Sequence, residues 1–433
     1  MKLSTLALSV LAVVSVGSFA AQQPQMSQGE YLARAGDCVA CHTKEGGEPF
    51  TGGRAVDSPF GAIYSTNITP DKKTGIGNYT LEQFDKALRE GIRADGAFLY
   101  PAMPYPDYAK LSDEDVKLLY AYFTKELAAV ENEVPETQLM FPFSQRWGIR
   151  MWNWVATDAT PFTPDPKQSQ AYNRGAYLIQ GPGHCGSCHT PRGVVFQEKG
   201  YDEDKRHFLS GGMVGMWYAP GLRGGEGGEI ADWTKQDIVD YLATGRNNYT
   251  STAGEMTDVI LHSTSYLSDE DLDAMATYLK ALPGEGLSAA LVAVGQYSEL
   301  TTDILNKATM KPESGARLYL DNCGACHFTD GQGAPKVFPR LNRSSMVNAK
   351  DPSGLIHVIL AGATVPSTAK APEELVMPGF GWRLSDEEVA TLASFVRKAW
   401  GNHAGAVTPK AVAKVRATIP EAVLEKSAPK IPD

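Results

Sequence analysis

Three short runs of this 433-residue chain could do chemistry: Cys38-Val-Ala-Cys41-His42, Cys185-Gly-Ser-Cys188-His189 and Cys323-Gly-Ala-Cys326-His327. They hold all 6 cysteines of the chain and draw three of its 8 histidines. Each reads Cys-x-x-Cys-His, the pattern that attaches haem covalently. Two cysteines three apart lie on one side of a helical turn, so both thiols can close thioethers to neighbouring vinyl groups of a porphyrin. The histidine that follows reaches the iron from the same side. A structural zinc site needs four ligands, and no cysteine remains to complete one. A thioredoxin-like dithiol needs a βαβ setting, of which there is no pattern. A disulfide framework leaves the recurring histidine without a role. The expected cofactors are three covalently attached haem c groups, held by Cys38, Cys41, Cys185, Cys188, Cys323 and Cys326, with His42, His189 and His327 on the irons.

The opposite axial position calls for a side chain farther along. Met103 in Tyr100-Pro-Ala-Met-Pro104, Met256 in Gly254-Glu-Met-Thr257 and Met377 in Val376-Met-Pro-Gly379 are the candidates. They precede a recurring Ser by 9, 12 and 8 residues. A methionine is ordinarily core filler, which suits Met275 within a helix better than a methionine in a Pro-flanked loop. Met213 and Met216, beside Trp217, read as packing on a haem edge, and His262 is an alternative to Met256. His184, His207, His357 and His403 show no partner pattern and read as structural or surface groups. His/Met ligation raises the reduction potential and fills both axial sites, so an electron carrier is expected. The alternatives are a peroxidase-like haem enzyme with one labile axial site, to be sought at Met256, and a free-standing carrier.

The elements that must position these residues also recur. Before each motif comes a helical segment with Gly near its start: Gly29-Glu-Tyr-Leu32, Gly175-Ala-Tyr-Leu178 and Gly315-Ala-Arg-Leu318. After each comes an amphipathic stretch closed by Gly, Thr80 to Gly91, Thr234 to Gly245 and about Asp351 to Gly362. Then comes Leu-Ser-Asp-Glu-Asp/Glu, at Ser112, Ser268 and Ser385, resembling a helix-capping box with acids at the positive helix end. An aromatic lies ten residues beyond each capping Ser: Tyr122, Tyr278 and Phe395. These last helices should pack on the Gly-bearing ones. Strand signals are weak throughout. The fold class expected is all-α: three tandem mono-haem domains at 21–130, 171–283 and 312–402, joined by linkers at 131–170 and 284–311, with an extended tail at 403–433.

Residues 1–20 read as a secretory signal peptide, Lys2 before an apolar run too short to span a bilayer; no later stretch is long enough. Export agrees with haem attachment on the outer side of the bacterial inner membrane. Net charge is −10, and −11 without residues 1–20, which argues against nucleic acid and favours a basic docking face on a partner. The run Arg146-Trp-Gly-Ile-Arg-Met-Trp-Asn-Trp154 reads as a bridging helix, or else as an aromatic docking surface for a partner subunit or the membrane interface.

The runs Gly29-Glu-Tyr-Leu-Ala-Arg-Ala-Gly-Asp-Cys38, Tyr64-Ser-Thr-Asn-Ile-Thr-Pro70, Leu99-Tyr-Pro-Ala-Met-Pro-Tyr105, Asn173-Arg-Gly-Ala-Tyr177 and Met377-Pro-Gly-Phe-Gly-Trp-Arg383 resemble the three-haem cytochrome c subunit of bacterial membrane-associated dehydrogenases, such as those acting on gluconate, alcohols, fructose and sorbitol. The resemblance implies cytochrome c-like domains and axial pairs His42/Met103, His189/Met256 and His327/Met377. It implies a periplasmic carrier at the outer face of the inner membrane. Its partners would be a flavin or pyrroloquinoline quinone dehydrogenase large subunit, with or without a small subunit, and ubiquinone or a terminal oxidase as acceptor. No membrane-binding C-terminal helix is evident.

Overall fold

The computed structural model describes residues 26–158, 160–284, 299–307, 311 and 314–428. The expected signal peptide and the apolar run 287–294 of the second linker lie outside the described residues.

Twelve helices position the motifs, in three similar sets. The first set is α1 Gln28–Ala35, α2 Leu81–Asp85, which continues as a wider turn Lys86–Glu90, and α3 Asp113–Ala121, which continues as Tyr122–Glu126. Helix α4, Trp147–Ala156, bridges to the second set: α5 Gln170–Gln180, α6 Lys235–Thr244, α7 Met256–His262 and α8 Asp269–Ala281. The third comprises α9 Gly315–Asn322, α10 Ser353–Ala361, α11 Asp386–Val396 and α12 Pro409–Arg416. The starts are set by side-chain caps that satisfy otherwise unpaired helical N–H groups. Ser27, Ser169 and Ser314 cap the first helix of each set, and Ser112, Ser268 and Ser385 cap α3, α8 and α11. The middle helices end at Gly91, Gly245 and Gly362, all at positive φ.

Buried side chains gather in three large clusters, one per set. In each, the last helix lies against the first at the glycine. A Cβ on Gly29 would sit 2.7 Å from Tyr122 Cβ, and one on Gly315 would sit 2.5 Å from Phe395 Cβ. The close approach explains both the glycine and the aromatic in the repeat.

Two expectations are corrected. The fold is not purely helical: antiparallel pairs join β1 Ala55–Ser58 to β2 Gly61–Tyr64, β3 Gly212–Val214 to β4 Trp217–Ala219, and β5 Ala363–Val365 to β6 Leu375–Met377. Strands of 3 or 4 residues are too short to display the alternation by which strands are read. The tail expected to be extended contains helices at Pro409–Arg416 and Glu421–Leu424. Thr408 caps α12, and Val412, Val415 and Ile419 are buried in the third cluster. Its apolar residues at spacings of three and four are few, but they find a ready surface on α10 and α11.

Candidate haem-binding sites

Each Cys-x-x-Cys-His run forms a single helical turn. The His42 N–H donates to the Cys38 carbonyl at 2.9 Å, His189 to Cys185 at 3.0 Å and His327 to Cys323 at 3.0 Å. The first cysteine of each run, Cys38, Cys185 or Cys323, packs against the hydrophobic cluster of its own set. Burial pushes those three thiols up to about 12, and Cys41 and Cys188 up to about 11. All five are therefore neutral thiols, and Cys38, Cys185 and Cys323 lie against apolar surface. A zinc ligand or redox nucleophile needs a thiolate favoured by its surroundings. Among the described residues, no three His, Cys, Asp or Glu side chains converge on a metal-sized site, and all six cysteines are free of disulfides.

The histidines share one constraint. Nδ1 of His42 lies 2.7 Å from the Thr66 carbonyl oxygen, Nδ1 of His189 2.7 Å from that of Pro220, and Nδ1 of His327 2.8 Å from that of Pro339. A carbonyl only accepts, so Nδ1 carries the proton and donates. Nε2 is left with its lone pair, the tautomer a metal-bound imidazole requires. Burial holds all three imidazoles below the usual range, against the upward pull of the carbonyl bond. The donor set thus fits haem: an oriented imidazole one helical turn from a buried cysteine, three times over.

The carbonyls that orient the histidines escape a search for motifs, because they are backbone atoms. A weak signal exists. Each is followed two residues later by an aliphatic side chain, Ile68, Leu222 or Leu341, packed on the cluster of its set. That contact fixes the strand of chain presenting the carbonyl.

The methionines are placed less uniformly. Met103, in a turn, packs on the first cluster with Cys38, and Met256 packs on the second with Cys185. Met256 begins α7 rather than lying in irregular chain. Met377 ends β6, paired with Ala363. Met275 is buried in the second core, as its helical spacing implies. Met216 packs instead on the third cluster. His357 meets the Trp217 ring edge-on at 5.0 Å, and His184 is wedged between sets, with Nε2 3.3 Å from the Gly36 carbonyl oxygen and its ring on Tyr108.

The first and second motifs are pressed together. Arg54 donates to the Ala40 carbonyl inside the first motif at 2.8 Å and to Asp258 of α7 at 3.0 Å. Ser187, inside the second motif, has Oγ 3.1 Å from Asp107 and 3.2 Å from Glu198. Burial pushes Glu198 up to about 7, and burial with the Glu198 charge pushes Asp107 well above the carboxylate range. A reciprocal clasp closes the contact. The Tyr31 hydroxyl donates to Asp271 at 2.7 Å and accepts from Ser268 N–H at 3.0 Å. Tyr177, its counterpart, donates to Asp115 and accepts from Ser112 N–H at 3.2 Å. The carboxylates at the third capped position therefore turn to another set. Of the caps at Ser112, Ser268 and Ser385, the last alone closes a reciprocal capping box, with Glu388, and Arg317 stands where the tyrosines stand.

Residues 312–400 match the model of the cytochrome c family. The gluconate 2-dehydrogenase cytochrome c subunit of Pantoea cypripedii is 43% identical over 420 residues, 95% of this chain and 94% of that one. The chain belongs to the cytochrome c subunits of bacterial dehydrogenases. The quinone alcohol dehydrogenase cytochrome c subunit of Gluconobacter oxydans is 43% identical, covering 94% of this chain and 86% of its own. The fructose dehydrogenase cytochrome subunit of Gluconobacter japonicus is 41% identical, covering 92% and 84%. This cytochrome subunit accordingly carries covalently bound haem c and works in electron transfer.

Proposed function

We propose that the chain is a periplasmic three-haem electron carrier, the cytochrome subunit of a membrane-associated dehydrogenase for alcohols, sugars or sugar acids. The observation that carries the count of three is the identical His Nδ1-to-carbonyl bond at His42, His189 and His327. In this reading each helical set is one mono-haem domain, at 21–130, 171–283 and 312–402. Met103, Met256 and Met377 are the sixth ligands. When bound, each haem c supplies a one-electron iron couple.

The chain's own residues hold orientation. The carbonyls of Thr66, Pro220 and Pro339 fix the imidazole tautomer. Arg54, Ser187 and the tyrosine clasp fix the first attachment turn against the second set, and the second turn against the first. Electrons would come from a flavin or pyrroloquinoline quinone dehydrogenase subunit and leave to ubiquinone or a terminal oxidase. The relatives' names, gluconate 2-dehydrogenase, quinone alcohol dehydrogenase and fructose dehydrogenase, support the donor side. Residues 1–20 support export and a position at the outer face of the inner membrane.

Intact-mass measurement of the exported protein tests the count: the polypeptide beginning near residue 21 plus three haems is expected. Bare polypeptide mass, or a single haem, would overturn the reading. Reduction of all three haems by the co-purifying dehydrogenase with its substrate tests the role.

A further inference from the structure

Exposed apolar side chains are concentrated on one face. Phe141 is 80% exposed, Trp147 68%, Met151 63%, Trp154 87%, Val194 96% and Phe196 51%. They come from two separate segments that meet. Trp152 Nε1, on α4, donates to the Val195 carbonyl at 2.7 Å. The Phe60 ring stacks on Phe143 and meets Phe196 edge-on at 5.3 Å. Helix α4 turns Ile149 and Ala156 inward, and presents Trp147, Met151 and Trp154, at spacings of four and three, to the outside. A bridging helix has no reason to expose its large side chains while others of its own are buried.

The charges on this face oppose those of the chain. Net charge is −10, yet residues 137–157 contain Arg146 and Arg150 and no acid. The loop bearing Val194 and Phe196 is flanked by exposed Lys199, and its one acid, Glu198, is buried and paired with Arg192 at 3.6 Å. Tryptophan with basic residues and no exposed acid is the composition of a segment lying in the headgroup layer of an anionic bilayer. Among the described residues no helix is long and apolar enough to cross a membrane, so any contact they make with one is peripheral.

We propose that this face is the membrane-contacting surface, with Trp147, Met151, Trp154, Val194 and Phe196 entering the acyl boundary of an anionic lipid layer and Arg150 and Lys199 meeting its phosphates. The proposal rests on the reading of the chain as a membrane-associated subunit and names the part that touches the bilayer. The face is tied to the first set's methionine loop: Arg146 donates to the Phe98 carbonyl at 2.7 Å and the Tyr105 hydroxyl donates to Asn153 at 2.6 Å. The face is therefore fixed in position relative to the first set.

The test is co-sedimentation of the full haem-loaded chain with vesicles of phosphatidylethanolamine and phosphatidylglycerol, and with vesicles of phosphatidylcholine alone. Binding to the anionic vesicles is expected, weakened about tenfold or more in Trp147→Ser/Trp154→Ser and clearly weakened in Arg150→Glu. Leu300→Ser, an exposed apolar change elsewhere, should bind as the parent does. Equal binding by the parent and the double variant would overturn the proposal, as would absence of parental binding or indifference to lipid charge. Reduction by the co-purified dehydrogenase in detergent should be unchanged in the double variant. If that is what fails, the face belongs to a protein partner and the proposal falls, while the carrier reading stands. If the parent chain is not reduced, the carrier reading fails, and vesicle binding still decides this surface.

Discussion

Gly175 lies against Tyr278: a Cβ at Gly175 would stand 2.9 Å from Tyr278 Cβ and only 2.0 Å from the Ala274 carbonyl oxygen. The contact is backbone on backbone, so no rotamer relieves it. Gly175→Ala should destabilise by about 3 kcal/mol through overpacking, and Gly29→Ala and Gly315→Ala by less, since their tightest contacts are 2.5 Å. Thermal unfolding of the three variants gives the order.

The clasp gives a second expectation. Tyr31→Phe removes a hydrogen bond to the Asp271 carboxylate, and should cost about 1–2 kcal/mol. Tyr177→Phe should cost a similar amount at Asp115, while Arg317→Ala should cost little. Although burial pushes it up, Asp271 is held below its ordinary range by Arg174 and Tyr31. A carboxyl with a lowered folded value lends stability above its unfolded value and loses it as pH falls through the folded one. The penalty of Tyr31→Phe should therefore shrink below about pH 4 in denaturant titrations.

Glu198 has the opposite sign. Raised to about 7 by burial, it keeps its proton in the folded chain after the unfolded chain has lost it. Its contribution to stability therefore declines as pH rises from about 4 to 7 and is then level. Glu198→Gln should remove this slope, gaining on the parent by on the order of 2 kcal/mol at pH 8 relative to pH 5. A parallel pair of stability–pH curves would contradict it.

Axial ligation has a spectroscopic outcome. Met103→Ala, Met256→Ala and Met377→Ala should each leave three haems by mass and convert one from low spin to high spin, with loss of part of the methionine–iron charge-transfer band. A Met256→Ala protein with the parent spectrum would remove Met256 from the ligand set and direct attention to His262, on the same helix.

The Cys-x-x-Cys-His turns and their helical scaffold were legible because they are local. Cys38 to His42 is one turn, Ser112 caps its own helix, and the interval from Ser112 to Tyr122 recurs at Ser268 and Ser385. Each signal needs only neighbours in the chain. Even the glycine–aromatic contacts could be anticipated, because a repeated register implies a repeated contact.

Tertiary structure decided what no neighbour specifies. Thr66, Pro220 and Pro339 act through carbonyls, which any residue possesses. Tyr31 and Tyr177 look like ordinary core aromatics until two sets are docked. Hairpins of three or four residues per strand carry too little alternation to be read. Residues 409–416 fold because α10 and α11 offer them a surface. Whether Trp147 and Trp154 are buried or bare depends on what else packs on α4. The sequence by itself determined where the three Cys-x-x-Cys-His turns and their capped helices lie; only long-range packing decided which nitrogen of each histidine carries the proton and which surface is left open.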